Sequence, residues 1–200
     1  MTDGGHLNPA VSLSALLTGY IDLIQAILYT ACQFAGAIVG VAIGYGLIPS
    51  SDAKQPGVFR PVGISDGQLF AWEAIMTGVL VMVVHSVALR GAGFANPNVT
   101  LQGKYVGPLI VGLTLTASAM AGGPYTGGAL NPARALAPIV VYCNARSYVT
   151  IVYIAAEFAG GLVATGAAYL MFMSPLKVPV VTVTALTPHP SPQIVVGGLV

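Results

Sequence analysis

The tripeptide Asn-Pro-Ala occurs twice, at 8–10 and 131–133, each time at the head of a short apolar stretch. Asparagine is among the best N-cap residues, and proline suits the first helical position, where no N–H is needed. Each triplet therefore starts a helix, over Pro9–Leu17 and over Pro132–Tyr142. At 1.5 Å per residue such helices are about 15 Å long, half of a hydrocarbon core about 30 Å thick. The flanks repeat as well. Gly4-Gly-His-Leu-Asn-Pro-Ala-Val-Ser-Leu13 and Gly127-Gly-Ala-Leu-Asn-Pro-Ala-Arg-Ala-Leu136 agree at seven of ten positions, at an offset of 123. Gln33-Phe-Ala-Gly-Ala-Ile-Val-Gly40 then matches Glu157-Phe-Ala-Gly-Gly-Leu-Val-Ala164 at an offset of 124. Two matching blocks at nearly one offset mark an internal repeat, and repeats in membrane proteins commonly meet around a path near the midplane.

Four further runs are long enough, or nearly so, to cross a bilayer: Tyr20–Ile48, Gln68–Leu89, Tyr105–Ala121 and Tyr148–Met173. Roughly 20 apolar residues make a span. Only 6% of the chain is charged and 56% is hydrophobic, against about 25% charged in a soluble domain. So few charges cannot solvate a globule of this size, and the solvent is mostly lipid. A net charge of +1 argues against nucleic acid or a strongly acidic partner. Cys32 and Cys143 sit in apolar stretches and read as small buried hydrophobes, with no zinc spacing. No secretory signal peptide is visible. After Ser174 the composition turns to proline, valine and threonine, so 1–173 is expected to form the folded unit and 174–200 a disordered tail.

The second copy has two spans ahead of its triplet, starting near Gln68, whereas seven residues precede Asn8. Symmetry leads to the expectation that two spans of the first copy are absent. A helix N-terminus carries about half a positive charge and unpaired N–H groups, which are costly in lipid unless they line water. Two such ends converging at mid-membrane would repel cations, hydronium included. Each capping asparagine would use its oxygen on its own helix and keep its NH₂ free to donate to a molecule in the pore.

At these residues the sequence resembles the aquaporin, or major intrinsic protein, family, over about 4–173. The resemblance implies an all-α membrane bundle with two re-entrant half-helices arranged as an inverted repeat, here with the first repeat incomplete. It implies a pore within each subunit, a homotetramer, and passive passage of water and small neutral solutes. No cofactor, metal site or catalytic group is implied. The pore-lining positions would be Asn8, Pro9, Ala10, Asn131, Pro132 and Ala133. Arg134 matches the arginine of the family's narrowest constriction, and Ala119 and Gly128 fall at the other constriction positions on this chain. Water-selective relatives usually carry histidine at the place of Ala119, while glycerol facilitators usually carry aspartate at the place of Ala135, so the selectivity signals conflict. Small residues beside Arg134 lead to the expectation of a wide opening that admits glycerol, urea or hydrogen peroxide. Glu73 matches a buried glutamate that braces the pore loops, Gln33 a glutamine after the first loop, and His6 either contacts solute or braces its own loop.

The remaining polar residues read more blandly. Glu157, at the place of Gln33 in the repeat, is expected to be uncharged or hydrogen-bonded. His85 reads as a satisfied packing residue, and Asp3, Asp22 and Asp66 as solvated or capping residues. Gly36, Gly40 and Gly44, like Gly160, Ala164 and Ala168, form smooth helix faces expected to pack the two halves together. In the family topology Arg90, Lys104 and Lys177 balance Lys54, Arg60 and Arg146, so charge gives no orientation. The sequon at Asn98 would then be cytoplasmic and unmodified. A non-conducting subunit that only joins longer partners is the rival reading. A proton-coupled transporter or an enzyme would need paired ionisable groups, and Glu73 and Glu157 have no basic partner in the spans.

Overall fold

A computed structural model describes residues 5–48, 55, 57–89, 101–143 and 147–173. Lys54, Arg90, Asn98, Arg146, Lys177, Asp3 and the tail 174–200 lie outside the described residues. Among those described, all regular structure is helical, in the order α1 (Pro9–Leu17), α2 (Leu23–Leu47), α3 (Asp66–Val83), α4 (Leu101–Thr126), α5 (Pro132–Tyr142) and α6 (Ser147–Ala168). Both half-helices begin and end where the sequence places them. The third span is longer than hydropathy alone indicates, because Gly122, Gly123 and Pro124 dilute the apolar signal while the helix runs on to Thr126. Both α3 and α6 widen into π-helical turns at their C-terminal ends, Val84–Leu89 and Tyr169–Met173.

Local chemistry sets the helix starts. Asp22 caps α2 by a capping box in which its side chain accepts from Gln25 N–H and the Gln25 side chain accepts from the Asp22 N–H. Ser65 and Gln68 do the same for α3, so Asp66 is a first-turn acid and Ser65 is the cap. Removing an N-cap oxygen costs about 1 kcal/mol. Asp22→Ala is therefore expected to lower the thermal midpoint of the detergent-solubilised chain slightly, with helix content otherwise intact by circular dichroism.

Among the described residues, four helices are long and apolar enough to cross a membrane, Leu23–Leu47, Asp66–Val87, Val106–Thr126 and Tyr148–Met171. They are not equally covered. α3 and α6 lie side by side and in the same direction: Tyr148 donates to Asp66 at one end (3.2 Å), and Gly161 meets Val81 further along. Between these points a Cβ on Gly160 would run into the Ala74 carbonyl oxygen, so this glycine is required by backbone contact. The smooth face of α6 thus packs against protein. The matching face of α2 does not, since a Cβ at Gly36, Gly40 or Gly44 would meet no atom within 4 Å. That departs from the expectation that both faces pack the halves together. Long stretches of α2 and α4 present Leu23, Ile27, Val39, Ile43, Leu109, Leu113 and Met120 outward, as a lipid-facing surface should. The cysteines share this exposure. Cys32 and Cys143 are both exposed rather than buried, and neither is in a disulfide. Two small cores hold the rest, one of Val11, Ala15, Leu80, Val81, Leu130 and Ala164, the other of Leu69, Ala129, Ala135 and Tyr153.

Candidate functional site

The two half-helices meet N-terminus to N-terminus. Asn8 Oδ1 accepts from Ala10 N–H (2.9 Å), and Asn131 Oδ1 accepts from Ala133 N–H (2.9 Å) and, more weakly, Arg134 N–H (3.4 Å). Pro9 and Pro132 follow at the first helical position, and Pro9, Ala10, Pro132 and Ala133 are all buried. The asparagines also cross. Asn8 Nδ2 donates to the Leu130 carbonyl (2.7 Å), and Asn131 Nδ2 donates to the Leu7 carbonyl (2.7 Å). Each NH₂ has two hydrogens. One of each is therefore spent on the opposite loop and one is left, which corrects the expectation of a wholly free amide. The reciprocal bonds fix the separation and the rotation of the two helix ends, as a local two-fold relation requires.

What shapes the second loop is Glu73, fully buried on α3. Its Oε1 accepts from Thr126 Oγ1 (2.6 Å) and Ala129 N–H (3.1 Å), and its Oε2 accepts from Leu130 N–H (2.9 Å). With these N–H groups turned back to one carboxylate, the carbonyls of residues 128–130 are left for other donors. Arg134 Nη1 donates to the Gly128 (3.4 Å) and Ala129 (3.0 Å) carbonyls, and Asn8 takes the Leu130 carbonyl. The turn needs left-handed backbone at Gly127, Gly128 and Leu130 (φ +84°, +63° and +52°). The first two are glycines, at no steric penalty; Leu130 is held there by its carboxylate bond and by complete burial.

The first loop is tied differently. Gln33 Nε2 donates to the His6 carbonyl (2.6 Å) and to Ser12 Oγ (2.9 Å). His6 itself is half-buried, with its ring 5.2 Å from that of Tyr29 and its Nδ1 3.5 Å from Ser12 Oγ. At the matching place on α6, Glu157 Oε1 accepts from the Asn131 N–H (3.0 Å). His85 is satisfied as expected. Thr165 Oγ1 donates to the Gly161 carbonyl (2.7 Å), so it accepts from Ser14 Oγ (2.6 Å). Ser14 then has only a lone pair for His85 Nε2 (2.6 Å), which must carry the proton.

Ala119, Gly128 and Arg134 come together at the second loop. A Cβ on Gly128 would lie 3.0 Å from Ala119 Cα, so the space expected beside Gly128 is filled by Ala119. The Arg134 guanidinium lies 5.1 Å from the centre of the Phe59 ring, within cation–π range. Phe59 also packs against Gly127 and 6.0 Å from Tyr153. Sequence reasoning missed it. A lone phenylalanine in a proline-punctuated linker carries no periodic signal, and only the fold-back of that linker, pinned by Val62 N–H on the Tyr125 carbonyl (2.8 Å), brings it here. No group of His, Cys, Asp or Glu suited to a metal occurs among the described residues.

A family model described as "Major intrinsic protein" matches residues 2–170. The chain belongs to the major intrinsic protein family. It is an integral, multi-pass membrane protein. Among relatives, it is 35% identical to "Aquaporin TIP3-2" of Zea mays over 69% of this chain and 48% of that one. It is 35% identical to "Probable aquaporin TIP4-2" of Oryza sativa subsp. japonica over 85% of this chain and 62% of that one. The chain therefore spans about half to three-fifths of the length of these relatives. Its fold is similar to the X-ray structure of the aquaglyceroporin from Plasmodium falciparum, with a TM-score of 0.64 and 27% identity over 86% of this chain and 74% of that one.

Proposed function

We propose that this major intrinsic protein forms a passive pore for water and small neutral solutes and excludes cations. The observation that carries the reading is the crossed pair of asparagines. Asn8 and Asn131 bring two positively poled helix ends together and leave one N–H each for a passing water. A water that accepts from both is turned so that it cannot relay a proton along the file. Glu73, Gln33 and His6 act as braces for the two loops. Arg134, with Ala119 and Gly128, forms the constriction, and its cation adds to the barrier. With Ala119 and Gly128 as the small residues of this constriction, it admits solutes larger than water, such as glycerol or urea. Residues 1–173 form the channel unit and 174–200 an appended tail, and the channel works as a homotetramer.

Stopped-flow light scattering on liposomes holding the reconstituted chain tests this. Water flux above that of empty liposomes is expected, with measurable glycerol or urea flux and no cation leak. Asn131→Asp is expected to raise proton or cation leak, because a negative side chain at the helix end offsets its positive pole. Unchanged leak in that variant, with water flux retained, refutes the barrier. A second reading, a subunit that conducts only when joined to longer partners, is favoured by the uncovered face at Gly36, Gly40 and Gly44. Flux that appears only on co-reconstitution with a longer relative distinguishes it.

A further inference from the structure

Glu157 is not accounted for by bracing alone. It is fully buried in the middle of α6, directly behind the second half-helix. Its Oε1 holds the Asn131 N–H at 3.0 Å, while Oε2 is buried with no hydrogen-bond partner. Glu73, on the helix packed against α6, has three donors on its two oxygens. Two neighbouring buried carboxylates do not both ionise at neutral pH, and donors favour the charged form of the group that receives them. Glu73 receives three such donors and Glu157 one. Of the other groups facing Glu157, Arg134 on α5 gives its Nη1 to two carbonyls and lies over Phe59. Tyr153, one turn earlier on α6, donates to the Thr126 carbonyl. α1 brings no titratable side chain. An ionised Glu157 would hold a bare anionic oxygen in the membrane interior, where nothing solvates it. Thr77, one turn beyond Glu73 and between the Gly160-contacting residues Ala74 and Gly78, adds a second buried, unpartnered oxygen to the same helix pair.

We propose that Glu157 is held as a neutral carboxylic acid, with its proton on Oε2, and that this proton sets the charge selectivity of the site. Neutral, Glu157 still positions Asn131 through Oε1 and leaves the helix pole intact. Ionised, it would set a full negative charge against a pole of about half a positive one, reversing the local sign. The protonation half stands on the geometry of α3 and α6. The selectivity half rests on the pore reading above.

Infrared spectroscopy of the full chain in lipid bilayers tests the first half without any need for conduction. Besides its two glutamates, the chain has four acidic side chains, all aspartates at or beyond the ends of the spanning runs: Asp3, Asp22, Asp52 and Asp66. At neutral pH the carbonyl stretch of a protonated carboxylic acid is expected in the wild type, retained in Glu73→Gln and lost in Glu157→Gln. Its absence from the wild type, or its persistence in Glu157→Gln, overturns the proposal. The amide band of the same spectra reports whether each variant keeps its helices, and absence of the carbonyl band from the wild type overturns the proposal even if both variants misfold. For the second half, cation leak is followed beside water flux as pH rises. Leak that grows as the wild-type band vanishes, and stays flat in Glu157→Gln, supports it. Flat wild-type leak while the band vanishes overturns it. A chain passing no water at any pH refutes the pore reading and the selectivity half together, while the band still judges the proton.

Discussion

Glu73→Leu is expected to leave little folded chain. Leucine removes the acceptor of the Ala129 and Leu130 N–H groups and of the Thr126 hydroxyl at one stroke. Each buried donor left unpaired costs about 1–3 kcal/mol. The two N–H groups alone reach the lower end of the whole stability of an ordinary domain, about 5–15 kcal/mol, and the Thr126 hydroxyl is left with only its longer bond to the Gly122 carbonyl (3.3 Å). Water does not readily rescue these groups, because Ala129, Leu130 and Thr126 are all fully buried. Leu130 is also held at φ +52°, so loss of its bond frees the turn to relax. Glu73→Gln keeps one acceptor oxygen but turns an NH₂ toward a backbone N–H, and is expected to fall between the two. The order wild type, Glu73→Gln, Glu73→Leu should appear in thermal midpoints of the detergent-solubilised chain and in its monodisperse fraction on size exclusion. Equal midpoints for wild type and Glu73→Leu would show that the carboxylate does not hold the loop.

The second large effect is expected at Gly160. In Gly160→Val the new Cβ meets the Ala74 carbonyl oxygen, and the added methyls meet more of α3. The obstacle is backbone, so no rotamer change relieves it. α3 and α6 must separate, at the 1–3 kcal/mol or more typical of overpacking. Separation also shifts Glu73 and Glu157 relative to the loop they bind, so the loss of midpoint should exceed that of a simple core overpacking. Gly36→Val is the matched control. It is the equivalent glycine of the first repeat, and a Cβ there meets nothing within 4 Å. Its effect is expected within about 0.5 kcal/mol, as for other substitutions away from contacts. If Gly36→Val proves as damaging as Gly160→Val in the membrane, another helix covers that face of α2.

The half-helices, the asparagine caps, the repeat and the four spans were legible in the sequence, because each is written in local chemistry. A capping side chain, a proline at the first position and a run of apolar residues act over a few neighbours and declare themselves in order along the chain. Glu73 and Gln33 were legible as buried polar residues, since lipid penalises them unless they have a task. Their partners were not. That Glu73 would reach residues 126–130, that each asparagine would donate to the opposite loop, and that Phe59 would fold under Arg134 depended on contacts between segments far apart in sequence. The two matching glycine-rich faces make the same point. Gly160 and Gly36 lie in near-identical strings, yet one is pressed against backbone and the other is open. A string of residues fixes which face of a helix is smooth; only the packed helices decide whether anything lies against it, because contact depends on where the neighbouring backbone runs.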